Sequence, residues 1–226
     1  RKKKCAPKLG FQNQEFRKGR TYNDFEKVMK VSFCDNDVVE MDTVKGVRET
    51  GKRLLTMIFR KNSVMLLFLM PDGKAESVKR VFGCLEAGLG LDVFRRLFPV
   101  ILTDNGSEFK HVDGLEYSDE LEYRAGIFYC DPMASWQKLH IEKNHEFIRY
   151  AISKGKSLSC YTQKDISLLM NHTNSTTRPS LNNKFPYDLL LQQGTEDDFA
   201  LWNFLRMQHI PPDEIHLALD LFSSQT

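Results

Sequence analysis

The stretch that most constrains the fold runs from Ile101 to Phe109, with the sequence ILTDNGSEF. Its apolar start ends at Asp104, and the Asn105-Gly106 pair that follows tolerates positive φ and breaks extended structure. We therefore expect a buried strand that ends where the carboxylate of Asp104 emerges at the edge of a sheet. Because Asp-Asn-Gly is also an ordinary turn sequence, this stretch alone leaves a structural and a functional interpretation open.

A second acid, Asp42, stands in a comparable position at the end of the apolar run VVEMD. Apolar runs, their spacing and the Gly, Pro and Asn residues between them predict, in order, strands over 38–42, 54–59 and 64–70, helices over 75–89 and 91–98, and a strand over 100–104. The first three strands are expected to form an antiparallel meander. Because crossover connections are right-handed, the fourth strand is expected to lie parallel to the first, which brings Asp42 and Asp104 close together.

The third acid of interest is Glu142. A short strand is predicted over 126–130, and a helix over 135–153 follows it and carries Glu142 near its start. Two strands and one helix would then bring three carboxylates to one place. Each acid alone is more often a turn or surface residue, and only their joint occurrence in this order of elements favours a site. Glu108 and Glu146 are alternative ligands if the register differs.

Three carboxylates indicate a site for divalent cations. Mg²⁺ prefers oxygen ligands and keeps several waters, so one or two carboxylates for each ion suffice. A pair of Mg²⁺ or Mn²⁺ ions can hold the attacking and leaving oxygens of a phosphoryl transfer. The sequence shows no activated Ser–His or Cys–His nucleophile and no G-x-x-x-x-G-K motif for nucleotide phosphates.

The five cysteines are widely spaced and form no C-x-x-C motif, which favours a reducing compartment over a disulfide framework or a zinc site. No apolar run approaches the roughly 20 residues that a bilayer span needs, and the basic first residues do not resemble a signal peptide. We therefore expect a cytoplasmic protein without a membrane partner.

Charge is distributed in blocks, although the net charge is only +2. Residues 1–20 hold eight Lys or Arg and one acid, and residues 133–184 hold eight Lys or Arg and three acids. Such blocks create local fields that a polyanion such as DNA can use. Each charged block, taken alone, is interpreted equally well as an ordinary solvated loop.

The sequence divides into three expected parts: a basic arm or linker over 1–20, a core over 21–192 and a helical C-terminal extension over 193–226. Within them, Thr21 and Thr162, each followed three residues later by an Asp, predict the starts of helices. Residues 171–183, rich in Asn, Ser and Thr, predict a loop. A break at Pro211-Pro212 predicts a final helix that contains Ile215, Leu219 and Phe222.

Three blocks carry a resemblance to a known family. VVEMDTVKG at 38–46, ILTDNGSEF at 101–109 and DPMASWQKLHIEKNHEFIR at 131–149 resemble the signature blocks of bacterial insertion-sequence transposases with a retroviral-integrase-type (DDE) catalytic core. The resemblance extends over roughly residues 20–192 and includes NSTTRPSLNNKFPYDLL near the end of that range. It implies an α/β, ribonuclease-H-like fold with a five-stranded mixed sheet flanked by helices. It also implies two bound divalent ions with Asp42, Asp104 and Glu142 as catalytic ligands.

The resemblance further implies DNA cleavage by water that frees a 3′-hydroxyl, followed by attack of that hydroxyl on target DNA. The expected partners are the ends of the mobile element and the target DNA, with assembly into a homo-oligomer on DNA and association with the bacterial nucleoid. The side chains expected to contact DNA are Lys138, Lys143, Arg149, Lys154, Lys156 and Trp136. For Trp136, packing of the side chain in the protein core is an equally weighted alternative to contact with DNA.

The chain also departs from the family pattern, because it has Leu139-His140-Ile141 where such proteins often have a Gly-Thr pair. His140 is either an extra polar contact near the site or a solvent-facing residue. Two other functions remain open: a metal-dependent nuclease of the same fold that does not join strands, and a catalytically silent module that binds DNA or serves in assembly.

Overall fold

Five strands form one mixed sheet in this computed structural model, which describes residues 15–46 and 51–223. The strands are β1 (Val38–Lys45), β2 (Arg53–Phe59), β3 (Met65–Met70), β4 (Val100–Thr103) and β5 (Gly126–Tyr129). Their order across the sheet is β3-β2-β1-β4-β5, with antiparallel pairs β1–β2 and β2–β3 and parallel pairs β1–β4 and β4–β5. The predicted α/β architecture is confirmed, and the topology is that of a ribonuclease-H-like fold.

The hairpin between β2 and β3 supplies much of the core. Every residue of β2 after Arg53 is buried, as a strand in the interior of a sheet with covered faces requires. Ser63 adopts a left-handed conformation in the turn, and the side-chain oxygen of Asn62 accepts a hydrogen bond from the amide of Val64 at 3.1 Å. The antiparallel meander predicted from the sequence is confirmed.

The parallel pairing of β1 with β4 is also confirmed. Its register matches Val38 with Val100 and Glu40 with Leu102. β1 differs from the prediction in length, because it continues through Lys45 instead of ending at Asp42. The reason is the antiparallel ladder with β2, which pairs with β1 as far as the match between Lys45 and Arg53.

The helices of the described ranges are α1 (Tyr22–Val31), α2 (Ala75–Leu89), α3 (Leu91–Leu97), α4 (Asp113–Glu116), α5 (Leu139–Ala151), α6 (Gln163–Asn174), α7 (Pro186–Gln193) and α8 (Glu196–Leu205).

Neighbouring residues of β1 pack into two different apolar layers, one on each face of the sheet. Val39 of β1 belongs to one apolar cluster with Phe82 of α2 and Phe94 of α3, whereas Val38 belongs to another with Phe25 of α1. Successive side chains of a strand point to opposite faces, so Glu40 and Asp42 share the face of Val38.

The predicted helix starts at Thr21 and Thr162 are confirmed, and both residues form complete capping boxes. The helix predicted over 135–153 begins later than expected, because Ser135–Lys138 form a 3-10 turn and α5 starts at Leu139. Within this turn, the side-chain oxygen of Gln137 accepts a hydrogen bond from the amide of Asp131, which ties the turn back to the end of β5.

Two predictions about the C-terminal third were wrong. The loop predicted over 171–183 begins only after Asn174, because α6 extends to that residue and the Asn174 side chain bonds both the amide and the carbonyl of Met65. The final helix predicted after Pro211-Pro212 does not form, since residues 211–223 are turns and irregular segments. There the amide of His216 donates to Nδ1 of His172 on α6, and the Phe222 ring packs on Tyr161.

Part of the expected N-terminal arm contacts the core. Arg17 is buried and donates to the carbonyl of Cys130, while Arg20 forms a salt bridge with Glu116. Residues 1–14 lie outside the described residues, so the arm stays a prediction for them. None of the helices in the described ranges combines the length and hydrophobicity that crossing a bilayer requires.

Candidate active site

The three acids that the sequence singled out line one cleft of about 340 Å³ at the carboxyl end of β4. If the register of β1 and β4 is continued by two residues, Asp42 lies level with Asp104 on the neighbouring strand. Glu142 lies in the first turn of α5, with an exposed side chain. The side chains and backbone around the cleft belong to Asp42, Asp104, Asn105, Gly106, Cys130, Asp131, Pro132, Met133, Ala134, Ser135, Lys138 and Glu142.

Asp42 is held by hydrogen bonds at both carboxylate oxygens. Its Oδ1 accepts from the amide of Thr43 at 2.7 Å, and its Oδ2 accepts from the ammonium of Lys138 at 2.9 Å. The hydroxyl of Thr56, opposite Asp42 on β2, lies 3.1 Å from the carbonyl oxygen of Asp42. The bonds from Thr43 and Lys138 fix the orientation of the carboxylate in the cleft.

Asp104 follows β4 directly, as the sequence predicted. Its Oδ1 accepts a hydrogen bond from the amide of Gly106 at 2.8 Å, and the side-chain amide of Asn105 donates to the carbonyl of Cys130 at 2.8 Å. A Cβ atom at Gly106 would lie 2.9 Å from Oδ1 of Asp104, so a larger residue there would displace this carboxylate. Burial raises the pKa of Asp104, the charge of Lys138 opposes this shift, and the charge of Asp42 adds to it.

The position of Glu142 depends on a residue that the sequence reasoning missed. Glu40 is fully buried on β1, and its Oε2 accepts from the amide of Ile141 at 2.8 Å, one residue before Glu142. Its Oε1 accepts from the guanidinium of Arg60, whose Nη2 also donates to the carbonyl of Gln137 at 3.3 Å. This buried ion pair therefore ties the start of α5 to β1. An acid inside the apolar run VVEM is the signal that could have found it.

A second residue that the sequence reasoning missed, Arg178, also holds α5 in place. Arg178 is buried and donates to the side-chain oxygen of Asn144 on α5 and to the carbonyls of Thr173 and Thr176. Its guanidinium stacks over the ring of Phe147 at 3.5 Å from the ring centroid. Burial lowers the pKa of Arg178. Arg178, which lies in the block NSTTRPSLNNKFPYDLL, thus anchors the helix that carries Glu142.

His145 of α5 also approaches the site. Its Nε2 lies 2.9 Å from the hydroxyl of Thr56, the residue opposite Asp42. Burial lowers the pKa of His145 to about 4, and the charge of Asp42 opposes this shift. The imidazole is therefore neutral at pH 7.

The donors of the cleft fit a divalent cation in chemical type, because they are carboxylate oxygens, the ligands that Mg²⁺ and Mn²⁺ prefer. Asp42 already binds one cation, the ammonium of Lys138. Across residues 15–46 and 51–223, no three His, Cys, Asp or Glu side chains are close enough to form a ready-made metal site. The cleft therefore offers suitable ligands that this conformation has not drawn together.

The residues expected to contact DNA differ in exposure. Lys143, Lys154 and Lys156 are exposed, Arg149 is partly buried, and Trp136 is 66% exposed, which excludes core packing for this side chain here. Lys138 differs from the other five, because it is only 3% exposed and its ammonium binds Asp42. Burial lowers the pKa of Lys138, but the charges of Asp42 and Asp104 outweigh burial and raise it overall.

The alternative residues lie outside the group that lines the cleft. Glu108 is buried and accepts from the hydroxyl of Thr43 at 2.6 Å, with Arg53 at 3.4 Å. Glu146 is exposed on α5. His140 is half-buried, and its carbonyl accepts from the side-chain amide of Asn144 at 2.8 Å.

Sequence comparison shows which known proteins this chain resembles. A transposase of insertion sequence element IS4351 from Bacteroides fragilis is 30% identical over 155 residues, which are 68% of this chain and 44% of that protein. The chain is similar in sequence to insertion-sequence transposases. A transposase of element IS1086 from Cupriavidus metallidurans is 27% identical over 157 residues, again 68% of this chain and 42% of that protein. Transposase InsI of element IS30A from Escherichia coli is 28% identical over 81 residues, which are 34% of this chain and 21% of that protein.

The resemblance to insertion-sequence transposases that the motif blocks indicated is therefore confirmed. The chain spans less than half the length of these curated relatives. No protein-family model matches it.

Proposed function

We propose that this chain is the catalytic domain of a DNA transposase, which cleaves DNA strands and joins the freed 3′-hydroxyl to target DNA. The observation that carries the proposal is the placement of Asp42 and Asp104 on neighbouring parallel strands, in a cleft that Glu142 also lines. The ribonuclease-H-like order of the sheet and the similarity to named transposases support it.

Asp42, Asp104 and Glu142 would hold two Mg²⁺ or Mn²⁺ ions in this proposal. When bound, such ions would neutralise charge on a phosphate in both steps, and they would lower the pKa of the attacking water in the first step and of the attacking 3′-hydroxyl in the second. The protein contributes rigid placement: β1 and β4 present the two aspartates, and the bonds from Thr43 and Gly106 orient their carboxylates. α5 presents Glu142, and Glu40 and Arg178 hold that helix in place.

The DNA backbone would be held by exposed bases near the cleft, with Lys143, Lys154 and Lys156 as the main phosphate contacts. Arg149 lies two helical turns beyond Glu142 on α5 and would contribute from the same side of the helix. Trp136 would stack on an unpaired base near the cut. We expect the protein to act on element ends and target DNA in the bacterial cytoplasm, at the nucleoid, as a homo-oligomer assembled on DNA.

The test is a nicking assay with the 226-residue chain, supercoiled plasmid and Mn²⁺. Asp42→Asn, Asp104→Asn and Glu142→Gln should each reduce nicking by about 10²-fold or more, because each removes a ligand carboxylate. Glu76→Gln, which neutralises an exposed acid on α2, is the matched control and should nick at the rate of the unaltered chain. Equal nicking by the four variants would refute the proposed site.

A second assay separates the transposase from the two alternatives. A labelled oligonucleotide with a free 3′-hydroxyl is incubated with plasmid and Mn²⁺, and covalent joining is read on a denaturing gel. Nicking without joining would indicate a nuclease of the same fold. Mn²⁺-independent DNA binding without nicking or joining would indicate a silent module.

A further inference from the structure

Lys138 is buried in an unusual place for a lysine. Its side chain is only 4% exposed, and its ammonium lies 2.9 Å from Oδ2 of Asp42 in the cleft that Asp104 also lines. A buried ammonium is stable only when anions compensate the loss of its hydration. Asp42 and Asp104 together supply that compensation, and Lys138 in turn reduces the repulsion between two carboxylates on adjacent strands.

The backbone places Lys138 at a junction between two elements. It is the last residue of the 3-10 turn Ser135–Lys138 and immediately precedes α5. The preceding segment, from Asp131 to Ser135, forms part of the cleft wall and is mostly exposed, with Ala134 as the buried exception. The ammonium is therefore carried by a short turn at the rim of the site and not by the interior of a helix.

We propose that Lys138 is a resident counter-ion, which occupies the place of a divalent cation beside Asp42 and Asp104 and must leave before a metal ion binds there. This inference rests on the proposed function of the cleft. It accounts for two observations together: the donors suit a divalent ion, yet the described acids form no ready-made metal site. Once released, the ammonium is beside the cleft where the DNA phosphates would lie, and a phosphate oxygen is its natural new partner.

If Lys138 is a counter-ion, its ammonium competes with a divalent metal ion for the carboxylate of Asp42, and this competition can be measured. A hydrogen bond to a charged group contributes enough to stability that its loss changes an equilibrium about tenfold to hundredfold. A metal ion must displace that bond in the unaltered chain but not in a variant without the ammonium. Removal of the charge should therefore tighten metal binding by about tenfold to hundredfold.

The experiment is a Mn²⁺ titration of the DNA-free 226-residue chain, with free Mn²⁺ read by electron paramagnetic resonance. Lys138→Met keeps the length of the side chain without its charge, and Lys138→Gln keeps a hydrogen-bond donor. Lys164→Met, which removes the same charge from an exposed position on α6, is the control and should change affinity by less than about threefold. Tighter binding in both Lys138 variants supports the counter-ion, and unchanged or weaker binding overturns it.

A measurement on the unaltered chain keeps the inference testable if the variants do not fold. Lysines are acetylated with and without Mg²⁺, and the modification of each is measured by mass spectrometry. Lys138 should be protected without Mg²⁺ and modified at least about tenfold faster with it, while the exposed Lys164 stays constant. Equal protection of Lys138 in both conditions contradicts the inference.

Failure of the counter-ion and failure of the proposed function give different results. Equal Mn²⁺ affinity in the unaltered chain and in Lys138→Met, with binding lost in Asp42→Asn, overturns only the counter-ion. Absence of Mn²⁺ binding from every variant overturns the metal site itself.

Discussion

Replacing Glu40 by Gln tests whether the buried ion pair holds the start of α5 in position. The substitution keeps the shape of the side chain but removes its negative charge. In the unaltered chain, the two carboxylate oxygens of Glu40 accept hydrogen bonds from Arg60 and from the amide of Ile141, each at 2.8 Å. Breaking a buried ion pair on one side costs about 3–5 kcal/mol, because the other charge stays buried. Arg60 keeps a second contact, to Oδ1 of Asp35 at 2.7 Å, so we expect the lower end, about 3 kcal/mol.

The assay is urea unfolding of the unaltered chain, Glu40→Gln, Arg60→Met and the double variant. The two side chains contact each other, so their effects should not add. The free energy of unfolding lost by the double variant should be smaller than the summed losses of the two single variants by about 1 kcal/mol or more. Glu146→Gln, on the exposed face of α5, is the control and should stay within about 0.5 kcal/mol of the unaltered chain. Additive losses, or a loss below about 1 kcal/mol for Glu40→Gln, would refute the role assigned to this pair.

Two further predictions concern the surroundings of the site. The pKa of His145 is lowered from 6.5 to about 4, so the unfolded chain binds a proton that the folded chain rejects, and stability falls as pH drops through this range. Between pH 6.5 and 4, the unaltered chain should lose about 3 kcal/mol more than His145→Gln in pH-dependent urea unfolding, and parallel curves would contradict this. At Gly46, at the end of β1, an added Cβ would collide with the backbone carbonyl of Lys156. Gly46→Ala should therefore lower the thermal midpoint and cost about 1–3 kcal/mol, whereas Gly51→Ala, where the space is open, should not; equal midpoints would argue against this close approach.

Much of the fold follows from local pattern. The apolar runs of β1 to β4 and the caps at Thr21 and Thr162 were readable because burial and capping leave a local trace in the sequence. The parallel placement of β4 beside β1 followed from the handedness of crossovers. The wrong assignments came where distant contacts outweighed local preference, as when Asn174 bonds Met65 and keeps α6 intact.

The sequence by itself determined which three acids line the cleft, because a strand end or a helix start fixes where its own side chain emerges. Only the tertiary structure decided which charges lie beside them. The sequence predicts that Lys138 contacts DNA, and the structure places its ammonium against Asp42. The sequence predicts that Glu40 is part of an apolar strand, and the structure shows it bonded to Arg60 and α5. The physical reason is that a buried charge is stable only beside its partners, and those partners come from segments far apart in the chain.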